Sequence, residues 1–91
     1  MKQKRALQIL RQNIRYARLN LDLSQEAFAE RAGLTLKHFQ DIESGRRQGV
    51  RLSTILCIAA TLKLEVWQLF KEASVPQPTR ERAHRRARIK R

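Results

Sequence analysis

The chain has little with which to lock itself covalently. Its 91 residues include one cysteine, Cys57, so neither an internal disulfide nor a cysteine-rich metal set is open to it, a usage that fits a reducing cytoplasm. Only three Gly and two Pro interrupt it, and no long alternating run of β-branched residues occurs, which favours helix and disfavours sheet throughout. No apolar stretch approaches the roughly 18 residues of a membrane span, and the N-terminal MKQKRALQILRQ lacks the apolar core of a secretory signal. The two histidines, His38 and His84, are isolated and no Gly-rich phosphate loop is present, so the sequence points to no enzyme, cofactor or metal. At this length the economical solution is one small bundle of short helices in a soluble, cytoplasmic protein.

What the chain does have is positive charge. Twenty Lys and Arg against eight Asp and Glu give a net charge of +12, which implies a polyanionic partner. Residues 80–91 hold seven of the basic side chains against Glu81 alone, half of the total excess. Pro76 and Pro78 end regular structure, making 74–79 a linker between a domain over 1–73 and this basic tail. The tail carries one large apolar residue, Ile89, too little to bury, and is expected to be disordered when free.

The centre of the domain is the stretch 24–45. Ser24 is an N-cap for a helix over Gln25–Ala32 with Phe28, Ala29 and Ala32 on one face, and Gly33 supplies the left-handed stop. Thr35 caps a second helix, Leu36–Ser44, whose Phe39 and Ile42 face inward and which Gly45 ends as Gly33 ends the first. Two helices crossing steeply over so short a turn require a small residue where they touch.

This helix, tight turn, helix resembles the motif of the Cro and phage-repressor (XRE-like) family over about residues 10–72, down to the string SGRR after the second helix. The resemblance implies an all-α, lambda-repressor-like DNA-binding domain of five short helices followed by the basic tail. It also implies a structural ion pair between Arg18 and Glu43, with a phosphate contact by Arg18 as the alternative. Asp22 and Lys63 stand where relatives often carry glycine, and Val50 and Arg51 where they carry proline and a serine cap, leaving Ser53 as another candidate cap.

Periodicity places a first helix over 4–21, with Leu7, Leu10, Ile14, Ala17 and Leu21 in its stripe and Arg11, Arg15 and Arg18 on other faces. A fourth helix, Leu52–Leu62, would bury Leu52, Ile55, Leu56, Ala59 and Leu62, with Cys57 a small packing residue beside them. A short fifth helix over 66–72 carries Val66, Trp67, Leu69 and Phe70, more apolar bulk than one face can bury. In related repressors this region makes a two-fold contact, so Trp67 and Phe70 are expected to serve partly as a homodimer interface, the alternative being that all four close the core.

On double-stranded DNA the second motif helix would lie in the major groove. Leu36, Lys37, Gln40 and Asp41, opposite its apolar face, are the expected base readers, although Lys37 and Asp41 could instead pair with each other. Gln25, Thr35, His38, Ser44, Arg46, Arg47 and Arg51 flank that helix and are expected on phosphates. The reading is a sequence-specific transcriptional regulator, a dimeric repressor. The alternatives are an antitoxin whose basic tail wraps a protein partner, a toxin, while the domain represses its own operon, and an RNA or ribosome binder.

Overall fold

Two capping side chains and two left-handed glycines lay out the centre of the molecule. In the computed structural model, which describes residues 2–47 and 49–79, Ser24 Oγ accepts from the Ala27 N–H at 3.0 Å and Thr35 Oγ1 from the His38 N–H at 3.0 Å. Each cap satisfies an amide that the first turn of a helix leaves without a partner. Gly33 and Gly45 close the two helices at φ 76° and 90°. Five helices result, α1 (Gln3–Asn20), α2 (Gln25–Ala32), α3 (Leu36–Ser44), α4 (Leu52–Leu62) and α5 (Val66–Phe70), and no strand occurs among the described residues. No helix among them is long and apolar enough to cross a membrane. The expected disordered tail, 80–91, lies outside the described residues.

α1 is the spine: it packs on α5, α3 and α4, while α2 packs on α3 and α4. Phe28 of α2 and Phe39 of α3 meet at its centre with ring centroids 4.8 Å apart and both side chains wholly enclosed. Burying rings of this size stabilises the fold by roughly 2–3 kcal/mol each. Leu10, Ile14, Ile42, Ile58 and Leu69 are fully buried in the same core.

Two of the three positive-φ residues besides glycine fall where glycine was missed in the sequence. Asp22 and Lys63 both sit at φ 59°, so the turns after α1 and α4 form without glycine, at a cost of about 1 kcal/mol each.

The buried faces depart from the periodic reading in three places. Leu21, expected in the stripe of α1, is 49% exposed because the helix ends at Asn20 and its phase ends with it; Ile9 and Leu19 are buried instead, and so is Arg18, which was placed on another face. On α4, Leu52 and Leu56 are 65% and 50% exposed and Cys57 also faces outward, while Thr54, Ile55, Ile58, Ala59 and Leu62 form the inner face. The sequence LSTILCIAATL is apolar on most sides, so its contacts with α2 and α5, rather than its pattern, choose the face. α4 starts at Leu52 with Arg51 as an N-cap that makes no side-chain bond, and Ser53 lies inside the helix. α5 stops at Phe70, two residues short of expectation, with Leu69 fully buried, Phe70 half-buried and Trp67 60% exposed.

α5 is tied down by a residue with no apolar signal. Asn13, 2% exposed on α1, donates through Nδ2 to the carbonyls of Leu69 at 2.9 Å, Lys71 at 3.0 Å and Gln68 at 3.2 Å. These are carbonyls that the end of a helix leaves without intrahelical partners. The stretch read as a linker, 74–79, begins inside the domain: Val75 is buried in the core, and Asn20 Nδ2 donates to the Pro76 carbonyl at 2.9 Å.

Candidate nucleic-acid interface

With Phe39 and Ile42 turned into the core, helical spacing turns Leu36, Lys37, Gln40 and Asp41 away from it. Leu36 is 38% exposed, Lys37 and Gln40 are exposed, and Asp41 is half-buried. The Asp41 carboxylate lies 3.5 Å from Lys37 Nζ and 3.8 Å from Arg46 Nη1, while its carbonyl accepts from the Arg47 N–H at 3.2 Å and from Ser44 Oγ at 3.4 Å. Asp41 therefore gathers the basic loop after α3 against the end of that helix. Both ion pairs are long, and their basic partners are about four-fifths exposed, so water screens them and the cations stay available to a ligand.

Beneath this face lies a buried ion pair. Arg18 Nε and Nη2 donate to the two carboxylate oxygens of Glu43 at 2.9 and 3.0 Å, and Nη1 donates to the Leu23 carbonyl at 2.7 Å. The side chains are 5% and 2% exposed. Each of the three guanidinium nitrogens thus has a partner within the protein, and with the side chain 5% exposed little of it is open to a phosphate.

The pair reaches the surface through Gln25. Its Nε2 donates to Glu43 Oε1 at 2.8 Å, and its Oε1 accepts from Gln40 Nε2 at 3.1 Å. The order is dictated by chemistry. An ionised carboxylate only accepts, so Gln25 must turn its NH₂ inward and its carbonyl outward, and Gln40 must then turn its own NH₂ toward Gln25. Gln40 is left with Oε1 and one N–H outward, the acceptor and donor that bidentate pairing with adenine requires. Gln25, expected on a phosphate, spends one amide N–H on Glu43 and its Oε1 on Gln40 and keeps a second N–H, while the Gln25 and Glu26 backbone N–H groups lie at the positive end of α2, ahead of the first helical bond, Phe28 N–H to the Ser24 carbonyl at 2.9 Å.

Of the other expected phosphate contacts, Thr35, Ser44, Arg46, Arg47 and Arg51 are exposed and His38 is half-buried. Thr35 and the His38 amide are joined in the cap of α3, and Arg51 stands at the start of α4. The structure thus brings the loop and the exposed face of α3 together and sets Arg51 at the far end of the loop. Trp67 and Phe70 belong to α5, where Lys71 Nζ lies 5.8 Å from the Trp67 ring centroid. Sequence spacing gave no sign of the Gln25–Gln40 contact, because only the crossing of α2 and α3 joins residues fifteen apart.

A helix-turn-helix family model of the Cro/C1 type matches residues 14–66. The chain belongs to that family. The helix-turn-helix match spans everything from the middle of α1 to the first residue of α5, and so includes both caps, both glycine stops and the Glu43–Gln25–Gln40 relay. A solved structure from Neisseria, described as a hypothetical transcription factor NHTF, is 29% identical with a TM-score of 0.70, covering 91% of this chain and 85% of its own. No curated protein sequence matches significantly. Family and neighbour together make this helix-turn-helix chain a DNA-binding transcription regulator.

Proposed function

We propose that the protein is a dimeric repressor that inserts α3 into the major groove of a pseudo-palindromic site, with half-sites about one helical turn, ~34 Å, apart. The observation that carries this is the outward face of α3, on which Gln40 presents a donor and an acceptor held by the Gln25 relay, with Lys37 and Leu36 one turn toward the helix start. Lys37 donates to a guanine edge, Gln40 pairs with adenine and Leu36 covers a thymine methyl. Asp41 has lone pairs left to accept from cytosine, but with its side chain 18% exposed and already flanked by Lys37 and Arg46 it is the weakest reader of the four. Thr35, His38, Ser44, Arg46, Arg47, Arg51 and the N–H groups at the start of α2 set the register on phosphates.

The second copy docks on α5. Trp67 offers a large apolar surface to solvent at the start of α5, and Phe70, half-buried against the core, stands one turn on. The test is fluorescence anisotropy across a salt series on DNA from upstream of the gene and on a scrambled duplex. A repressor of its own promoter prefers the first, and Lys37→Ala loses that preference while Arg47→Ala weakens both duplexes alike. Equal binding of the wild type to both duplexes overturns the reading.

A further inference from the structure

Beside the recognition helix, between the N-terminal half of α1 and the loop after α3, lies an open hollow of about 520 Å³ whose walls include Lys4, Gln8, Arg11, Gly45 and Arg47. It holds three cations and no carboxylate. Several basic side chains near α1 and α3 have acidic partners, Arg5 with Glu72, Arg18 with Glu43, and Lys37 and Arg46 with Asp41, though not all do: Arg15 of α1 belongs to no ion pair among the described residues. Among the described residues, Lys4, Arg11 and Arg47 likewise belong to none.

The hollow adjoins the C-terminal end of α3 through Gly45 and Arg47. A Cβ built on Gly45, the C-cap of α3, would stand 3.0 Å from Arg11 Nε and 3.1 Å from its Cζ, so the guanidinium lies directly over the end of the recognition helix. Arg47 follows two residues later in the same loop, and Lys4 sits two turns back along α1 from Arg11. Seven residues of helix span about 10 Å, a distance over which one strand of duplex DNA advances by roughly three phosphates. The negative end of the α3 dipole would hold one cation by itself, yet it falls off within the last turn and gives no reason for the other two.

We propose that Lys4 and Arg11 join Arg47 in a second phosphate-binding shelf that grips the DNA backbone beyond the end of α3, outside the helix-turn-helix itself. The inference rests on the DNA-binding reading of α3 and adds contacts to it. The shelf is wide, open and lined by long flexible cations, which suits a backbone running past it. It carries no base-reading geometry, so its contribution is equal on every sequence and sensitive to salt.

The experiment measures wild type, Lys4→Gln and Lys4→Gln/Arg11→Gln on one fixed 30-base-pair duplex of arbitrary sequence across a salt series, with thermal unfolding recorded for each. The expected result is a slope of log affinity against log salt that is shallower by about 0.9 for the single variant and about 1.8 for the double. Preference for the upstream duplex over the scrambled one should stay unchanged, and so should the midpoint of unfolding for Lys4→Gln. If the double variant loses its fold, the exposed Lys4→Gln decides alone. A wild-type slope in the variants overturns the shelf while leaving the DNA reading intact. Saturable binding of inorganic phosphate at the shelf with an unchanged DNA slope also overturns it, in favour of a small-anion site. Failure of the wild type to bind any duplex overturns both.

Discussion

Gln40 Nε2 donates to Gln25 Oε1 at 3.1 Å, and through that bond a buried carboxylate sets which way an exposed amide faces. Without Gln25 the Gln40 amide turns freely, and a reader that flips presents donor and acceptor in the wrong order half of the time. Gln25→Ala should therefore weaken binding to the preferred duplex by about twofold, the factor by which the binding-competent orientation is depleted. Binding to scrambled duplex should change much less. Loss of one hydrogen bond to Glu43 should lower stability by about 1–2 kcal/mol. Anisotropy on both duplexes, with chemical denaturation alongside, separates the two effects; equal losses on both duplexes would show that the relay has no part in reading.

The ion pair below the relay makes a different prediction, because its members are almost completely enclosed. Arg18→Ala leaves Glu43 buried with only the Gln25 amide as partner, and should destabilise the domain by about 3–5 kcal/mol. The paired replacement Arg18→Met with Glu43→Leu should recover most of that stability while still losing DNA preference, since Gln25 then has no carboxylate to orient it. Urea midpoints of the two variants decide: a double variant no more stable than Arg18→Ala would argue that the pair is itself a net source of stability.

How much of this was legible in the sequence depends on whether the signal was local. Ser24, Thr35, Gly33 and Gly45 act within a few residues of themselves, and α2 and α3 begin and end where those residues place them. The Arg18–Glu43 pair was visible only through the family resemblance. Leu52 and Leu56 misled because α4 is apolar around most of its circumference, and an apolar residue on such a helix says nothing about which neighbour it will meet. Asn13 and Arg11 lay beyond reach for a related reason: a polar side chain inside an amphipathic helix reads as solvated until the partner brought to it by the fold, some fifty-five residues on for Asn13 and at Gly45 for Arg11, is known. Val75 was hidden by the prolines on its far side, which end regular structure without ending the core.

The Lys63 turn stores strain that can be removed. At φ 59° its backbone adopts a conformation that a side chain penalises, and among the described residues no hydrogen bond or ion pair of the Lys63 side chain occurs in compensation. Lys63→Gly should raise stability by about 1 kcal/mol, which for a domain of this size is a rise of about 4–8 °C in Tm. A thermal melt by circular dichroism checks it, and a fall in Tm would show that the entropy glycine adds to the unfolded chain outweighs the relief.

Trp67 and Leu69, neighbours on one short helix, should respond oppositely to truncation. Leu69→Ala empties a fully buried site and should cost about 2–5 kcal/mol whatever the protein concentration. Trp67→Ala removes an exposed ring and should leave the monomer within about 0.5 kcal/mol of wild type while shifting the population from dimer to monomer. Sedimentation at several concentrations reads the second effect. A wild type that sediments as a monomer throughout, on DNA as well as off it, would remove α5 as an interface.

Arg51 sets stability against binding at one position. As the N-cap of α4 it makes no side-chain bond, so the amides of the first turn lack the partner that serine would offer. Arg51→Ser should supply that bond and stabilise the domain by about 1 kcal/mol. It also deletes an exposed cation next to the basic loop, which should reduce the salt slope of DNA binding by about 0.9 if one phosphate contact is lost. Arg51→Ser and Arg51→Gln should then share the reduced slope, whereas only the serine variant gains in Tm. A gain in Tm with an unchanged slope would mean that Arg51 makes no phosphate contact, and the backbone contacts after α3 would end with Arg46 and Arg47.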